Sequence, residues 1–128
     1  GNAIYEEDEN DTSSAAGIKA DGNLAISDCD ILCVSSGEGG KGINVDGTLT
    51  IESGTIDIST SGGKYVYNAA QDLDSSPKGV RAEGEIIING GSLNIQVTGR
   101  SDGSEGLEAN PRLLSTMVKS SFMPTMTQ

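Results

Sequence analysis

Short segments with apolar residues at every second position recur along this chain, and glycine-rich turns separate them. Residues 24–26, 49–51 and 86–88 each place two apolar side chains on one side of an extended backbone. No window of helix length has apolar residues at the 3.6-residue spacing of an amphipathic helix. The pattern therefore predicts short β-strands joined by tight turns and no long α-helix.

A six-residue motif occurs four times and defines a repeat. It reads Gly-Ile-Lys-Ala-Asp-Gly from Gly17, and its variants begin at Gly42, Gly79 and Gly106. The repeat length is about 25 residues, which falls in the range of solenoid proteins, and the third copy is delayed by an insert at residues 65–77. A unit this short cannot bury its own apolar residues, so the units must stack on one another.

Stacking in register places Ile18 over Ile43, Val80 and Leu107 in one column of apolar side chains. Each unit holds three strands, and successive units lie about 4.8 Å apart, the spacing of hydrogen-bonded strands. The expected fold is all-β: a right-handed, single-stranded parallel β-helix of about three full rungs plus partial rungs, formed by residues 17–111. The predicted inward residues are Ile18, Leu24, Ile26, Ile31, Ile43, Leu49, Ile51, Ile56, Ile58, Ile86, Ile88, Leu93 and Ile95.

Both ends of the chain depart from the repeat. Residues 1–16 form an acidic segment that we expect to be a loop or the end of a preceding rung. Residues 112–128 replace an expected strand, and two interpretations stay open: a C-terminal cap, or a shift of the reading frame near Arg112 that removed a further rung. Because the ends of a β-helix expose strand edges, we expect end-to-end self-association unless these segments cover them.

Charge and composition exclude several classes of function. The chain has 19 Asp and Glu against 8 Lys and Arg, a formal net charge of -11, so it is not expected to bind the phosphates of nucleic acid or an anionic membrane. It contains no His, which excludes a Ser-His-Asp triad and His-ligated zinc. It also contains no apolar run long enough for direct insertion into a membrane.

The two cysteines lie four positions apart in one extended segment. A straight strand separates their Cα atoms by about 13 Å, beyond the limit of about 7 Å for a disulfide. We therefore expect free thiols at Cys29 and Cys33, with Cys33 in the core, and a disulfide across a bulge is the alternative.

The fifth position of the motif is acidic in three of its four copies, at Asp21, Asp46 and Glu83. These side chains are expected to point outward and to stack on adjacent rungs, where like charges repel each other. Calcium, which binds six to eight oxygen ligands, is one remedy and makes these carboxylates candidate metal ligands. Pairing with the basic residues of the third position, Lys19 and Arg81, is the other remedy.

The insert is the second candidate site, since insertions on solenoids often carry binding residues. Its aromatic rings offer flat apolar faces, and its amide and carboxylate groups offer hydrogen bonds. In the alternative interpretation the two tyrosines cover the rung below. The candidate ligand-binding residues are Tyr65, Tyr67, Asn68, Gln71 and Asp72, and Asp74 is added to the candidate calcium ligands.

The pattern Gly-Ile-Lys-Ala-Asp-Gly-x-Leu-x-Ile, followed by Gly-Gly-x-Ile or Gly-x-Ile, runs through nearly all of residues 17–110. It resembles a family of secreted bacterial carbohydrate-binding domains that are related in fold to pectate lyases and have adhesin-like relatives in Bacteroidales. The resemblance implies a parallel β-helix at the cell surface, in some relatives as part of a lipoprotein. It also implies a polysaccharide or cell-surface glycan as partner, with bound calcium.

The expected function is that of a non-catalytic carbohydrate-binding or adhesion module, with no catalytic residue assigned. One alternative is a structural stalk of a surface protein. Another is a calcium-dependent polysaccharide lyase, in which Arg81 beside Asp46 and Glu83 acts as the base, as the resemblance to lyases implies.

Overall fold

A computed structural model describes residues 1–99, 103–109, 113–115 and 120–124, the last two ranges as backbone only. The described residues form β-strands, one short 3₁₀ helix at Ala69–Gln71 and no α-helix. The strands are β1 (Ile4–Glu6), β2 (Asp11–Ser13), β3 (Ala16–Ala20), β4 (Leu24–Ile26), β5 (Cys29–Ser35), β6 (Lys41–Val45), β7 (Leu49–Ile51), β8 (Gly54–Thr60), β9 (Tyr65–Asn68), β10 (Leu73–Ser75), β11 (Lys78–Ala82), β12 (Ile86–Ile88), β13 (Ser92–Val97), β14 (Glu105–Ala109), β15 (Leu113–Ser115) and β16 (Ser120–Pro124).

Twelve of these strands form three four-stranded parallel sheets. Sheet I has the order β3-β6-β11-β14, sheet II the order β4-β7-β12-β15, and sheet III the order β5-β8-β13-β16. The chain enters the sheets in the sequence I, II, III four times, and we call each set of three strands a rung. The predicted alternation of three strands per repeat is therefore confirmed, and no antiparallel hairpin joins β4 to β5.

The columns of equivalent residues agree with the predicted register. In sheet I, Ile18 pairs with Ile43, Ile43 with Val80, and Val80 with Leu107. In sheet II, Leu49 lies between Leu24 and Ile86 in the same way. Because each of these residues pairs with its equivalent in the next rung, each apolar column is continuous from rung to rung.

One cluster of buried side chains draws on all three sheets. Ten of the predicted inward residues are buried. The other three, Ile18, Leu24 and Ile31, belong to the first rung and are partly buried against the cluster. Gly79 shows why the motif begins with glycine: a Cβ there would lie 2.6 Å from the carbonyl oxygen of Gly106. It would also lie close to the side chain of Ile95, so sheets I and III could not approach each other.

Two hairpins lie outside the three sheets. In the first hairpin, β1 pairs antiparallel with β2, so residues 4–13 of the acidic segment form a hairpin. That residues 1–16 include the end of a preceding rung stays a prediction. In the second, β9 pairs antiparallel with β10 through the 3₁₀ helix, which orders most of the predicted insert.

The two hairpins are equivalent segments of the sequence. Tyr5 and Tyr67, and likewise Gly17 and Gly79, are separated by 62 residues, the same separation as Thr12 and Asp74. Each hairpin also turns through a non-glycine residue in the left-handed region, Asn10 with φ 48° and Asp72 with φ 57°. Each precedes a strand of sheet I, β3 in the first rung and β11 in the third.

Both cysteines lie on β5. Cys29 is exposed, Cys33 is buried, and both are free thiols, as predicted. Burial raises the pKa of the Cys33 thiol.

Strands β15 and β16 extend sheets II and III parallel to β12 and β13, although the repeat is not recognisable there in the sequence. Whether residues 112–128 are a cap or the result of a frame shift stays a prediction, and most of them lie outside the described residues.

Candidate functional site

The two hairpins pack against each other and form one wall above sheet I. The Thr12 hydroxyl donates a 2.6 Å hydrogen bond to the carbonyl oxygen of Asp74. The hydroxyl oxygens of Ser14 and Ser75 lie 2.8 Å apart. Equivalent segments thus contact each other directly, although they are far apart in the sequence.

A polar cleft of about 630 Å³ lies between this wall and the outer face of sheet I. Both acidic and basic side chains line it, and hydroxyl groups come from both hairpins. Its lining residues are Glu6, Glu9, Asp11, Thr12, Ser13 and Ser14 of the first hairpin segment, Asp74, Ser75 and Ser76 of the second, and Lys19, Asp21, Lys41, Asn44, Asp46, Lys78, Arg81, Glu83 and Glu108 on sheet I or at the ends of its strands.

Lys41 fastens both hairpins to sheet I. Its Nζ donates hydrogen bonds to Ser14 Oγ at 2.7 Å, to Ser75 Oγ at 2.9 Å and to the carbonyl oxygen of Ser76 at 3.1 Å. The side chain is buried, and burial is the main reason why its pKa falls to about 8. The nearby positive charges of Arg81 and Lys78 lower it further. No carboxylate of the described residues lies within ion-pair distance of this ammonium group.

Lys78 stands next to Lys41 in the following rung and has a different environment. Its Nζ forms a 2.5 Å ion pair with Glu105 and lies 3.6 Å from Glu108. It also donates a 2.6 Å hydrogen bond to the carbonyl oxygen of Gly103. The cleft floor therefore holds two adjacent buried lysines, of which Lys78 is neutralised by carboxylates and Lys41 is held by hydroxyl and carbonyl oxygens.

Arg81 lies among the predicted acidic ladder. Its guanidinium donates 2.8 Å and 2.9 Å hydrogen bonds to Glu83 and to the side-chain oxygen of Asn44, and it approaches Asp46 to 3.8 Å. Arg81 thus pairs with Asp46 and Glu83, two of the three ladder carboxylates. Pairing with a basic residue is one of the two ways, expected from the sequence, to offset the repulsion between these carboxylates. Asp21, in the first rung, is exposed at the cleft.

The four predicted calcium ligands line one cleft but do not converge. Asp21, Asp46 and Glu83 belong to successive rungs, and Asp74 lies on the hairpin wall, where Lys64 forms a 3.6 Å ion pair with it. In the described part of the chain, no three acidic or cysteine side chains are grouped closely enough to hold a metal ion.

The predicted ligand-binding residues of the insert lie on the second hairpin and not in the cleft. Tyr67 stacks on Tyr5 of the first hairpin, with ring centroids 3.8 Å apart. The Asn68 side chain accepts hydrogen bonds from the backbone N–H groups of Ala70 and Gln71 and so caps the 3₁₀ helix. Asp72 ends that helix in the left-handed conformation.

Sequence reasoning missed the central residues of the cleft, Lys41, Ser14 and Ser75. None of them belongs to a recognisable motif, and a lysine that follows two glycines reads as an ordinary surface residue. A signal was nevertheless present: residues 5–17 and 67–79 share Tyr, Ser and Gly at equal spacing. Equivalent inserts in different repeats emerge on the same edge of the stacked rungs. The shared spacing therefore predicts that the two hairpins lie side by side on that edge.

Residues 32–113, well over half of the chain, match the family described as carbohydrate-binding domain-containing protein. The matched region includes the second hairpin and most of sheet I, and it begins after the first hairpin. Neither a curated protein nor a solved structure matches the chain. Among the helices of the described residues, none has the length and apolar character needed to cross a membrane.

Proposed function

Because the chain belongs to the family of carbohydrate-binding domain-containing proteins, we propose that it is a non-catalytic module that binds a polysaccharide or cell-surface glycan in the cleft. The observation that carries the proposal is the cleft's polar lining. A sugar presents a rim of hydroxyls that both donate and accept hydrogen bonds. The cations of the cleft supply donors, its carboxylates supply acceptors, and its hydroxyl groups supply both.

The size and the preformed walls of the cleft support the same proposal. Its volume of about 630 Å³ falls within the range of sites that enclose a small ligand, so several sugar residues of a chain can be accommodated along it. Lys41 and the hydrogen bonds between the hairpins hold the wall in place before ligand arrives. Preorganisation of this kind reduces the entropy lost on binding.

The predicted residues of the insert have a secondary role in this proposal. Tyr65, Gln71 and Asp72 lie on the second hairpin, with Gln71 and Asp72 exposed, so they are available to a polysaccharide that extends beyond the cleft. Tyr67 acts mainly through its contact with Tyr5, which helps to hold the wall. In this proposal Tyr65, Gln71 and Asp72 contact the polysaccharide directly, whereas Tyr67 affects binding through the position of the wall.

The non-catalytic character rests on the state of Arg81. A lyase mechanism needs a group that accepts a proton, and arginine stays protonated in proteins. Its guanidinium is already engaged by Glu83 and Asn44. Incubation with a panel of polysaccharides should produce no unsaturated sugars absorbing in the ultraviolet, and their appearance would support the lyase alternative.

The same proposal includes the architecture and the location. The three sheets are the sides of one right-handed parallel β-helix, because parallel connections are right-handed in nearly all known cases and one core cluster joins all three sheets. A crystal structure with left-handed connections would contradict it. As a glycan-binding adhesion module it acts outside the cell or on its surface; membership of a lipoprotein is what the resemblance implies for some relatives. Antibody labelling of intact cells tests the location.

Calcium assistance remains part of the proposal as an expectation from the sequence. A calcium ion at the acidic ladder has to compete with Arg81 for Asp46 and Glu83. Asp21 is the ladder carboxylate for which no such pair is formed in the described residues.

Glycan arrays and retention on immobilised polysaccharides test the binding site. The double variant Lys19→Ala/Asp21→Ala removes two exposed side chains of the cleft, and we expect binding at least about tenfold weaker, which corresponds to about 1.4 kcal/mol. The matched control Asp30→Ala/Thr55→Ala removes two exposed side chains from sheet III and should bind as the wild type does.

The remaining variants separate the cleft from the second hairpin. Tyr65→Ala/Tyr67→Ala should weaken retention while the circular dichroism spectrum is unchanged, since neither residue belongs to the three sheets. If the cleft variant binds normally and the tyrosine variant does not, the site lies on the hairpin alone. A wild-type protein that binds no glycan would favour the stalk alternative.

A further inference from the structure

An Asn-Gly pair forms the corner between sheets II and III in the third rung. Asn89 follows β12 directly, and Gly90 and Gly91 lead into β13. The corner has no room for a side chain after Asn89, because a Cβ at Gly90 would lie 2.7 Å from the carbonyl oxygen of Glu52. The stacking of the rungs therefore favours glycine at this position, which places the most permissive residue directly after an asparagine.

The backbone nitrogen of Gly90 is available for reaction with the preceding side chain. The N–H of Asn89 donates a 2.8 Å hydrogen bond to the carbonyl oxygen of Ile51. In the described part of the chain, by contrast, the N–H of Gly90 has no hydrogen-bond acceptor. Nearly all buried backbone N–H groups in folded proteins are paired, so an N–H without an acceptor sets this corner apart from the strands on either side.

The Asn89 side chain is exposed, and its amide is oriented by one neighbour. Its Nδ2 donates 3.2 Å hydrogen bonds to both carboxylate oxygens of Glu52 in the second rung. The other asparagines with described side chains precede residues that carry a Cβ: Asn2, Asn10, Asn23, Asn44, Asn68 and Asn94. Of these, Asn44 and Asn94 also lie within strands, where the ladder fixes the backbone.

We propose that Asn89 is a site of spontaneous deamidation. The nitrogen of Gly90 attacks Cγ of Asn89 and gives its proton to solvent, the bond between Cγ and Nδ2 breaks, and Nδ2 leaves as ammonia. Water then hydrolyses the five-membered succinimide at either of its two carbonyl groups. One product has aspartate at this position. The other has isoaspartate, in which the main chain runs through the former side chain.

Both products weaken the contact between the second and third rungs. An aspartate is ionised at neutral pH, so it loses both hydrogen bonds to Glu52 and repels that carboxylate. Isoaspartate also adds one main-chain atom to a tight corner, since a Cβ at Gly91 would already lie 2.7 Å from the carbonyl oxygen of Gly54. Asn89 does not line the cleft, so the modification acts on stability and is independent of the proposed function.

Peptide mapping by mass spectrometry, after prolonged incubation at physiological pH and temperature, gives the first test. In the wild type, the peptide that contains Asn89 should show the mass increase of amide-to-acid conversion and should separate into two products. Asn89→Gln keeps the amide, but its extra methylene disfavours ring closure, so this variant should not convert. Equal accumulation of acidic protein in wild type and Asn89→Gln places the reaction elsewhere and overturns the proposal.

A synthetic peptide of residues 85–95 shows whether the fold permits the reaction. Conversion of both the peptide and the folded protein agrees with the proposal. A peptide that converts while the folded protein does not shows that the corner protects the Asn-Gly pair, and this result overturns the proposal.

Thermal unfolding measures the effect of the modification on the corner. Asn89→Asp should lower the melting temperature by about 2–5 °C, since it places like charges on adjacent rungs. Glu52→Gln/Asn89→Asp removes the repulsion and should recover most of this loss. If Asn89→Asp and the converted wild type both melt as the unmodified protein does, the assigned contact with Glu52 is wrong.

Discussion

The rings of Tyr5 and Tyr67 stack with centroids 3.8 Å apart and planes 2° from parallel. They occupy equivalent positions of two hairpins that recur two rungs apart, so the contact joins a repeated element to its own copy. The wall of the cleft therefore arises from repetition of the hairpin segment, as the core columns arise from repetition of the strands.

The Tyr5–Tyr67 stack should stabilise the first hairpin locally. Aromatic pairs contribute about 0.5–1.5 kcal/mol beyond their buried area, so Tyr67→Ala should speed amide hydrogen exchange in residues 4–13 by about two- to tenfold. The neighbouring Val66 is exposed, and Val66→Ala should leave the exchange unchanged. Equal exchange rates in both variants would show that the hydrogen bonds alone hold the hairpin.

Lys41 should make stability depend on pH in the alkaline range. Its pKa is about 8 in the folded protein and 10.5 without the fold, so between these values the unfolded chain binds more protons. The free energy of unfolding should therefore rise with pH from about 8 to 10.5, by at most about 1.4 kcal/mol per pH unit. Urea unfolding at pH 7.5, 9 and 10 measures this dependence. In Lys41→Met the rise should be lost, and an identical rise in this variant would assign it to other groups.

A charge in the core should prevent folding. Ile51 is buried in the second rung between Ile26 and Ile88, and Ile51→Asp places a carboxylate there without a partner. The cost of several kcal/mol is comparable with the whole stability of a small domain. Thr50→Asp, at the adjacent outward position, should keep a cooperative thermal transition. A cooperative transition near the wild-type temperature in Ile51→Asp would contradict the inward assignment.

Removal of one buried hydroxyl should stabilise the protein. Thr60 is 1% exposed, and among the described residues its Oγ1 has no hydrogen-bond partner. Its register partner in the next rung is Val97, so valine already suits this column. Thr60→Val should raise the free energy of unfolding by about 1 kcal/mol, measured by urea unfolding. Thr55→Val, exposed on the same strand, serves as the control, and a destabilised Thr60→Val would indicate that the hydroxyl has a partner.

Calcium binding at the ladder should be stronger without Arg81. Millimolar calcium should raise the melting temperature of the wild type relative to EGTA, since a ligand that binds only the folded state stabilises it. Arg81→Gln leaves Asp46 and Glu83 without their cation, so the increase should be larger in this variant. Differential scanning fluorimetry measures both shifts. An unchanged melting temperature in both proteins would exclude calcium from the ladder.

The sequence alone was sufficient for the strands, the register and most of the core. These follow from local rules: alternation selects the inward face, and a repeated motif forces equivalent residues such as Ile18 and Ile43 into one column. The free cysteines also followed, because the geometry of an extended strand separates them.

The tertiary structure alone decided how the polar groups are paired. Tyr67 stacks on Tyr5, and Lys41 donates hydrogen bonds to Ser14 and Ser75. These contacts form because folding brings together hairpins that are distant in the sequence. Arg81 pairs with Glu83 and Asp46, the pairing with a basic residue that the sequence offered as the alternative to a metal ion. Burial of apolar residues depends on a pattern that each strand carries by itself. A hydrogen bond or ion pair depends on distances and angles between segments, which exist only once the rungs have stacked.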